Sequence, residues 1–193
     1  MNLWWLLIPA SYALGTFPTA HIVAGFVGHD PTSEGSGNPG ATNVYRVAGA
    51  KAGAIVLLGD LLKGLIPSLV CLLVDGRLLG LIAGLAAMVG HIAPITRRLS
   101  GGKGVATLTG LSVVIYPFVV LTLFVVWVLL MKLFRKASIG SLVMVMLLPL
   151  GVLIMPGTRW YEVIITGAAS VIVTLRHHEN IKRLFKGEEQ GIE

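Results

Sequence analysis

Long apolar runs, separated by short polar segments, dominate the 193-residue chain. A helix needs about 20 residues to cross a bilayer, and helices satisfy their backbone hydrogen bonds internally. Charged residues make up only 12% of the chain, against about 25% in a typical soluble domain. These features predict an all-α integral membrane protein, with spans near residues 3–26, 52–74, 78–95, 104–116, 117–134, 139–155 and 160–176.

Residues 104–134 form either one long tilted helix or two short helices joined at Tyr116-Pro117. Charge distinguishes the two, because cytoplasmic loops are enriched in Lys and Arg. With seven crossings and an outside N-terminus, only Arg77 and Arg159 lie on the outer side. The cytoplasmic side then holds Arg46, Lys51, Arg97, Arg98, Lys103, Lys132, Arg135, Lys136, Arg176, Lys182, Arg183 and Lys186. Six crossings would nearly abolish this bias, so we predict seven helices and a cytoplasmic C-terminus.

No segment outside the spans is long enough for a second domain, so we expect one membrane-embedded domain over residues 1–193. In the cytoplasmic tail, residues 177–193, the spacing of Ile181, Leu184 and Phe185 predicts a short amphipathic helix along the membrane surface. Residues 187–193 are acidic and expected to fray. The net charge of +6 follows from the basic loops, and no motif indicates nucleic-acid binding.

The glycine-rich loop, Gly35–Arg46, is the first candidate for chemistry. Its glycines permit backbone turns that aim several N–H groups at one point, which suits an anion. Arg46 adds a fixed positive charge with a forked set of donors. Side-chain hydrogen-bonding groups come from Ser36, Asn38, Thr42 and Asn43. The loop is therefore interpreted as a phosphate site at a membrane surface, rather than as a flexible linker between two helices.

A second candidate is the lysine turn, Gly101–Gly104, which leads directly into an apolar helix. Helix N-termini carry unpaired N–H groups and a partial positive charge, so a lysine there favours phosphate. Asp60 and Lys63 are three residues apart inside an apolar run, where ionisable groups are costly and usually functional. We expect this pair, together with His91, to support the site without touching substrate.

Two further candidates follow later spans. Ser138 and Ser141 flank a helix start behind a basic stretch, and His177 and Asn180 are three apart near the end of the last span. In the seven-helix topology, all the candidates outside the spans emerge on the same side. Their groups are cations, amides, hydroxyls and backbone N–H, which suit phosphates. No carboxylate cluster or His/Cys spacing suits a metal, and no cofactor is expected.

The motifs together resemble the bacterial membrane glycerol-3-phosphate acyltransferases that use acyl phosphate as donor. The resemblance rests on Gly35-Ser-Gly-Asn-Pro-Gly-Ala-Thr-Asn43 with Arg46, Gly59-Asp60-x-x-Lys63-Gly64, Gly90-His91-x-x-Pro94, Gly101-Gly-Lys-Gly-Val-Ala-Thr107 and Arg176-His177-x-Glu179-Asn180-Ile181. It implies a seven-helix protein of the bacterial inner membrane with its active site facing the cytoplasm. The implied reaction acylates the 1-hydroxyl of glycerol 3-phosphate and yields lysophosphatidic acid, the first step of phospholipid synthesis.

The resemblance also implies roles for individual residues. Acyl phosphate would be bound by Ser36, Gly37, Asn38, Thr42 and Asn43, and we expect Gly102 to join them. Glycerol 3-phosphate would be bound by Arg46, Lys103, Ser141, His177 and Asn180. Of these, Lys103, His177, Arg46 and Asn180 are the expected catalytic residues. The implied partners are the two substrates and the lipid bilayer, and the sequence is compatible with a monomer.

Two questions stay open at the level of sequence. The proton of the attacking hydroxyl is taken either by His177 or by a phosphate oxygen of the donor, and the resemblance favours the donor. The alternative function is transport of an anionic phosphate compound, with which the intramembrane Asp60 and Lys63 are compatible. Against transport, the motifs crowd one face, whereas a pathway needs polar groups across the whole membrane.

Overall fold

The computed structural model describes residues 3–192, and these residues form helices and connecting turns with no strand. The prediction of an all-α chain is confirmed for this part. The helices are α1 (Leu7–Gly15, after a 3-10 turn at Leu3–Leu6), α2 (Thr19–Gly25), α3 (Ala41–Ile92), α4 (Val105–Ile115), α5 (Pro117–Phe134), α6 (Ala137–Leu153), α7 (Trp160–Arg176) and α8 (His178–Lys186).

Six of the seven predicted spans coincide largely with helix, whereas the first, 3–26, is interrupted between Gly15 and Thr19, where Pro18 has a non-helical ψ of 57°. Three helical stretches are long and apolar enough to cross a membrane, namely Leu3–Gly25, Ala41–Arg97 and Pro117–Phe134. Val105–Ile115 and Ala137–Leu153 are shorter apolar helices. The predicted break between α4 and α5 is present at Tyr116, whose ψ of 55° is not helical, and Pro117 opens α5. By its internal contacts the chain comprises two compact units, the first ending at Ile115 and the second beginning at Tyr116.

Two glycines divide α3 into three arms, residues 41–48, 50–74 and 77–92. Gly49 and Gly76 have φ of +86° and +84°, in the left-handed region that favours glycine. Both breaks reverse the chain: a Cβ placed on Gly53 would lie 2.7 Å from Tyr45 Cβ, and one on Gly80 would lie 2.9 Å from the Ser68 carbonyl oxygen. The second and third arms therefore form a helical hairpin, as the separate spans at 52–74 and 78–95 predicted.

Glycines also bring α4 against α3. A Cβ on Gly64 would strike the carbonyl oxygen of Thr107, and a Cβ on Gly110 would strike that of Leu61. On the third arm, a Cβ on Gly84 would lie 2.5 Å from Leu111 Cβ. Small residues permit this backbone approach between membrane helices. The start of α4, which follows the lysine turn, is consequently fixed against the second and third arms.

The second unit contains α5 to α8. A Cβ on Gly140 of α6 would lie 2.8 Å from the Trp127 ring of α5. Ser170 of α7 donates a hydrogen bond from Oγ to the carbonyl oxygen of Val145 at 2.8 Å, which ties α7 to α6. Fully buried Tyr116 donates its hydroxyl to Glu162 Oε2 at 2.9 Å. These contacts hold the start of α6 and the α7–α8 junction within one packed unit.

Candidate active site

The glycine-rich loop depends on glycine for its shape. Gly35 and Gly37 have φ of +59° and +69°. A Cβ on Gly35 would also collide with Asn43 Oδ1, so this position has no room for a side chain. The non-helical part of the loop ends at Gly40, whose backbone is extended. Residues 41–46, predicted as loop, instead form the start of α3. The glycine-dependent turns expected from the sequence are present.

Asn43 organises this loop from within. Its Oδ1 accepts the Ser36 backbone N–H at 2.7 Å, and its Nδ2 donates to the carbonyl oxygens of Pro31 and Glu34, both at 2.9 Å. The side chain is 1% exposed. Both ends of the amide are thus engaged by loop backbone. Asn43 therefore holds the loop backbone at Ser36, Pro31 and Glu34 in place, and its role in binding acyl phosphate stays a prediction.

The remaining side chains of the loop are more accessible. Ser36, Asn38, Thr42 and Arg46 are half-buried, in contrast to Asn43. Thr42 and Arg46 are four residues apart at the beginning of α3, so they lie on the same helix face. A hydroxyl and a guanidinium therefore stand together near a helix N-terminus, where the backbone dipole also favours an anion.

The two acidic side chains just before the loop, Asp30 and Glu34, are hydrogen-bonded within the turn that they themselves form. Glu34 accepts the Asp30 backbone N–H through Oε1 and contacts His29 Nδ1 through Oε2, each at 2.8 Å. The hydrogen bond from the Asp30 N–H, with that of His29, lowers the pKa of Glu34. The hydroxyl and N–H of Thr32 likewise lower the pKa of Asp30. Both carboxylates are therefore ionised at neutral pH, and their hydrogen-bond partners are neighbouring residues of the same turn.

The lysine turn is built on the backbone and ring of His91. The Gly102 N–H donates to the His91 carbonyl oxygen at 3.1 Å. A Cβ on Gly101 would strike that same oxygen, and a Cβ on Gly102 would strike His91 Nε2. Gly104 has a φ of +90°, and α4 begins at the next residue. Lys103 is thus half-buried immediately before a helix N-terminus, as the sequence predicted.

A buried ionic group lies beneath this turn. Lys63 Nζ is 2.5 Å and His91 Nδ1 is 3.5 Å from Asp60 Oδ1. All three side chains are buried, and Thr107 donates its hydroxyl to the Asp60 carbonyl oxygen at 3.0 Å. The chain of contacts runs from Asp60 through the His91 ring to Gly102. The His91 side chain therefore lies between the Asp60–Lys63 ion pair and the lysine turn. A supporting role for the ion pair stays a prediction.

In the second unit, the candidate residues stand at the ends of helices. Ser138 and Ser141 lie in the first turns of α6, with Ser138 buried and Ser141 half-buried. His177 separates α7 from α8 and is 3% exposed. Its Nδ1 is 2.8 Å from the Val173 carbonyl oxygen, which can only accept, so Nδ1 carries a proton. In the neutral imidazole, Nε2 is therefore the unprotonated, basic nitrogen.

The acidic tail, residues 187–192, is ordered against α8, so the expected fraying is wrong for these residues. Glu189 Oε1 accepts from Asn180 Nδ2 at 2.7 Å, and Oε2 accepts from Arg183 Nε at 2.8 Å. Burial opposes ionisation, but the hydrogen bonds from Asn180 and Arg183 outweigh it and lower the pKa of Glu189. The sequence offered one signal for this return, since Gly187 follows α8 directly, where helices commonly reverse.

Comparison with protein families decides the assignment of the chain. A family model described as glycerol-3-phosphate acyltransferase matches residues 5–187. The chain belongs to this family. The predictions of the family and of an acyltransferase of phospholipid synthesis are therefore confirmed.

Individual members of the glycerol-3-phosphate acyltransferase family are similar over nearly their whole length. The chain is 41% identical to the glycerol-3-phosphate acyltransferase of Syntrophotalea carbinolica, covering 98% of this chain and 97% of the relative. It is also 41% identical to that of Pseudomonas aeruginosa, covering 96% and 98%. The alignments with these two relatives therefore leave no room for a large insertion or deletion in either sequence.

Two crystal structures of PlsY (YgiH), an integral membrane glycerol 3-phosphate acyltransferase, are similar to the whole chain. The glycerol 3-phosphate form has a TM-score of 0.94 and the lysophosphatidic acid form 0.92, each at 32% identity, and each comparison covers 100% of this chain and 96% of PlsY. Together with the apolar helices, this similarity confirms an integral membrane protein. The roles of the individual site residues in this family member remain predictions.

Proposed function

We propose that the chain transfers an acyl group from acyl phosphate to the 1-hydroxyl of glycerol 3-phosphate, releasing lysophosphatidic acid and inorganic phosphate. The observation that carries the proposal is the lysine turn, in which Lys103 precedes the N-terminus of α4 in a chain of this family. The two ligand forms of PlsY support it, because one contains the acceptor and the other the acylated product.

The proposed setting is the bacterial inner membrane. We infer seven crossings, an outside N-terminus, a cytoplasmic C-terminus and a cytoplasmic active site. The reason is the distribution of Lys and Arg, which leaves only Arg77 and Arg159 on the outer side. The short helix α4 then requires the surrounding bilayer or neighbouring helices to accommodate its length.

The two substrates are assigned to different sets of groups. Acyl phosphate would be held by Ser36, Gly37, Asn38, Thr42, Asn43 and Gly102, with Asn43 acting through the loop backbone to which it is hydrogen-bonded. Arg46, Lys103, Ser141, His177 and Asn180 would hold glycerol 3-phosphate. In this division, the anionic acyl phosphate is held by N–H and hydroxyl donors near a helix N-terminus, and the phosphate monoester is held by cations.

Charge compensation is the first task of such a site. Two anions about 4 Å apart repel by about 4 kcal/mol at an effective dielectric of 20. Arg46 and Lys103 would offset this repulsion. Holding the hydroxyl against the carbonyl carbon lowers the barrier further, by about 7–11 kcal/mol for well-oriented groups. Backbone N–H groups of the two glycine-containing turns would stabilise the developing oxyanion and the departing phosphate.

The reaction needs no acyl-enzyme, because the donor is already activated. The acceptor oxygen forms a bond to the carbonyl carbon, the bond from that carbon to the bridging oxygen breaks, and phosphate leaves with the electron pair. The hydroxyl proton ends on the released phosphate, either directly or through His177 Nε2. The contact between Nδ1 and the Val173 carbonyl supports the second possibility, since it leaves Nε2 as the basic nitrogen.

The test is phosphate release by purified protein. With acyl phosphate and glycerol 3-phosphate together, we expect inorganic phosphate and lysophosphatidic acid in equal amounts. Acyl-CoA in place of acyl phosphate serves as the control and should give no product. Product from acyl-CoA would contradict the donor assignment. Passage of unchanged glycerol 3-phosphate into sealed vesicles, without acylation, would instead support transport.

A further inference from the structure

The acidic tail reverses onto α8 through a defined backbone motif. Gly187 has a φ of +74°, its N–H donates to the Leu184 carbonyl oxygen at 3.2 Å, and the Glu188 N–H donates to that of Arg183 at 2.8 Å. These are the two hydrogen bonds of a Schellman motif. Farther along, the Ile192 N–H donates to the Arg135 carbonyl oxygen at 2.7 Å. The tail is therefore attached on both sides of Glu189.

Between these attachments, Glu189 is buried with its charge matched. The residue is 7% exposed although it lies three residues from the end of the described chain. One carboxylate oxygen accepts from Asn180 and the other from Arg183, at 2.7 and 2.8 Å. A buried carboxylate costs free energy unless it is paired and hydrogen-bonded, and here both oxygens have such partners.

We propose that Glu189 is a positioning residue for glycerol 3-phosphate, which acts by fixing the orientation of the Asn180 side chain. The inference rests on the proposed function, in which Asn180 holds this substrate. It extends the site into a segment that carries none of the motifs by which the family is recognised in this sequence.

The chemistry of the two side chains gives the direction of the effect. An ionised carboxylate only accepts, whereas an amide has one donating and one accepting end. Glu189 therefore selects the Asn180 rotamer whose Nδ2 faces the tail, and the opposite rotamer would set Oδ1 against a carboxylate oxygen. A fixed orientation removes the need to order this amide when substrate binds, which favours affinity.

Arg183 neutralises the charge of Glu189, which would otherwise disfavour a phosphate bound nearby. Without a cation, the carboxylate of Glu189 would repel an anionic substrate held by Asn180. The guanidinium at 2.8 Å offsets that charge. The Schellman motif and the Ile192 contact hold the carboxylate in place as substrate enters, so the tail acts as a fixed support and does not have to be displaced.

The experiment measures steady-state phosphate release by the full-length enzyme. Glu189→Ala should raise KM for glycerol 3-phosphate about tenfold, with kcat changed less than about twofold and KM for acyl phosphate unchanged. Glu189→Gln should lie between, because its Oε1 still accepts from Asn180 but its amide opposes Arg183. The matched control is Glu188→Gln, since Glu188 is adjacent and exposed, and it should behave as wild type.

A second measurement separates positioning from simple anchoring of the tail. Calorimetric titration with glycerol 3-phosphate requires no turnover, so it applies to Asn180→Ala and to the double variant. If Glu189 acts through Asn180, Glu189→Ala should weaken binding in the wild-type background but have no further effect beside Asn180→Ala. Equal weakening in both backgrounds would overturn the inference.

The remaining outcomes are also decisive. An unchanged KM for glycerol 3-phosphate in Glu189→Ala, or a lowered one, would overturn the inference, and the lowered value would identify the tail as a competitor of substrate. Should Glu189→Ala not fold, Glu189→Gln provides the same comparison. Absence of acylation by the wild-type enzyme would instead refute the proposed function, so the two failures are distinguishable.

Discussion

The two units hold their candidate residues by different means. In the first unit, the lysine turn is held by close packing of its backbone, because Gly101 and Gly102 lie so near His91 that neither accommodates a Cβ. In the second unit, His177 and Asn180 lie at a helix junction, where His177 contacts the Val173 carbonyl oxygen and Asn180 donates to Glu189. One arrangement depends on close packing and the other on individual side-chain contacts.

This difference predicts different responses to substitution. Where backbone shape carries the site, adding one methyl group should be nearly as harmful as removing a charge, because the whole turn must move. Where single side chains carry the site, truncation should give partial and separable losses.

Removal of the charge at the lysine turn should have the largest effect. We expect Lys103→Ala to reduce kcat/KM about 10³-fold, the upper range for loss of a group that stabilises transition-state charge. The measurement is phosphate release with both substrates varied. Lys51→Ala is the matched control, since Lys51 is exposed in α3. Full activity of Lys103→Ala would remove the phosphate role of this turn.

A single methyl group at Gly102 should cost nearly as much. The added Cβ would strike His91 Nε2, so either the ring or the turn must shift. A misplacement of about 1 Å can cost about 10²-fold in rate, and we expect a loss of that size for Gly102→Ala. Gly25→Ala is the control, because a Cβ there meets open space. Wild-type kinetics for Gly102→Ala would contradict the backbone-built character of the first unit.

Truncation at the helix junction should be milder. If a phosphate oxygen of the donor takes the proton, we expect His177→Ala to lose about tenfold in kcat/KM, mostly through KM. A protein base would contribute about 10²–10⁴-fold, expressed in kcat. His178→Ala is the control, since its side chain is 61% exposed. Near-complete loss of turnover with unchanged substrate affinity would assign the proton to His177.

Much of the first unit was predictable because its signals are local. An apolar run long enough to span predicts its own helix, and Gly76 or Gly104 marks a turn without reference to distant residues. The break at Tyr116 also followed from sequence, through Pro117 and the distribution of basic residues. The sequence did not predict that α3 begins at Ala41 or that the first span is interrupted before Thr19. Nor does residue type alone distinguish a loop amide that shapes backbone, as Asn43 does, from one that binds ligand.

The second unit was less predictable because the contacts of its tail join segments that are distant in sequence. No local sequence pattern indicates that such segments pack together. Glu189 stands in an acidic, polar stretch, whose composition is typical of a frayed terminus. Its burial follows from the reversal at Gly187 and from the contact between Ile192 and Arg135, at the far end of α5. The division of the chain into two compact units at Ile115 was likewise absent from the sequence patterns.

The smallest effect should appear on acidification and concerns the tail alone. Burial opposes the charge of Glu189, but the hydrogen bonds from Asn180 and Arg183 lower its pKa below the ordinary 4.5. A carboxyl with a lowered pKa in the folded state stabilises that state above its ordinary pKa, and the contribution is lost as pH falls through the lowered value. We therefore expect the tail to detach from α8 below about pH 4.5 and not above it.

Hydrogen exchange at the Ile192 amide, corrected for its intrinsic rate, measures this detachment. Protection should be constant from neutral pH to about 5 and then decline. The Gly102 amide is the internal reference, because it donates to the His91 carbonyl oxygen, which belongs to the first unit and not to the tail. Glu189→Gln has no group that titrates at this position, so its protection should lack the decline. Protection of Ile192 that persists to pH 3 in the wild-type chain would show that backbone contacts, and not the Glu189 carboxylate, hold the tail, which would make the two units alike.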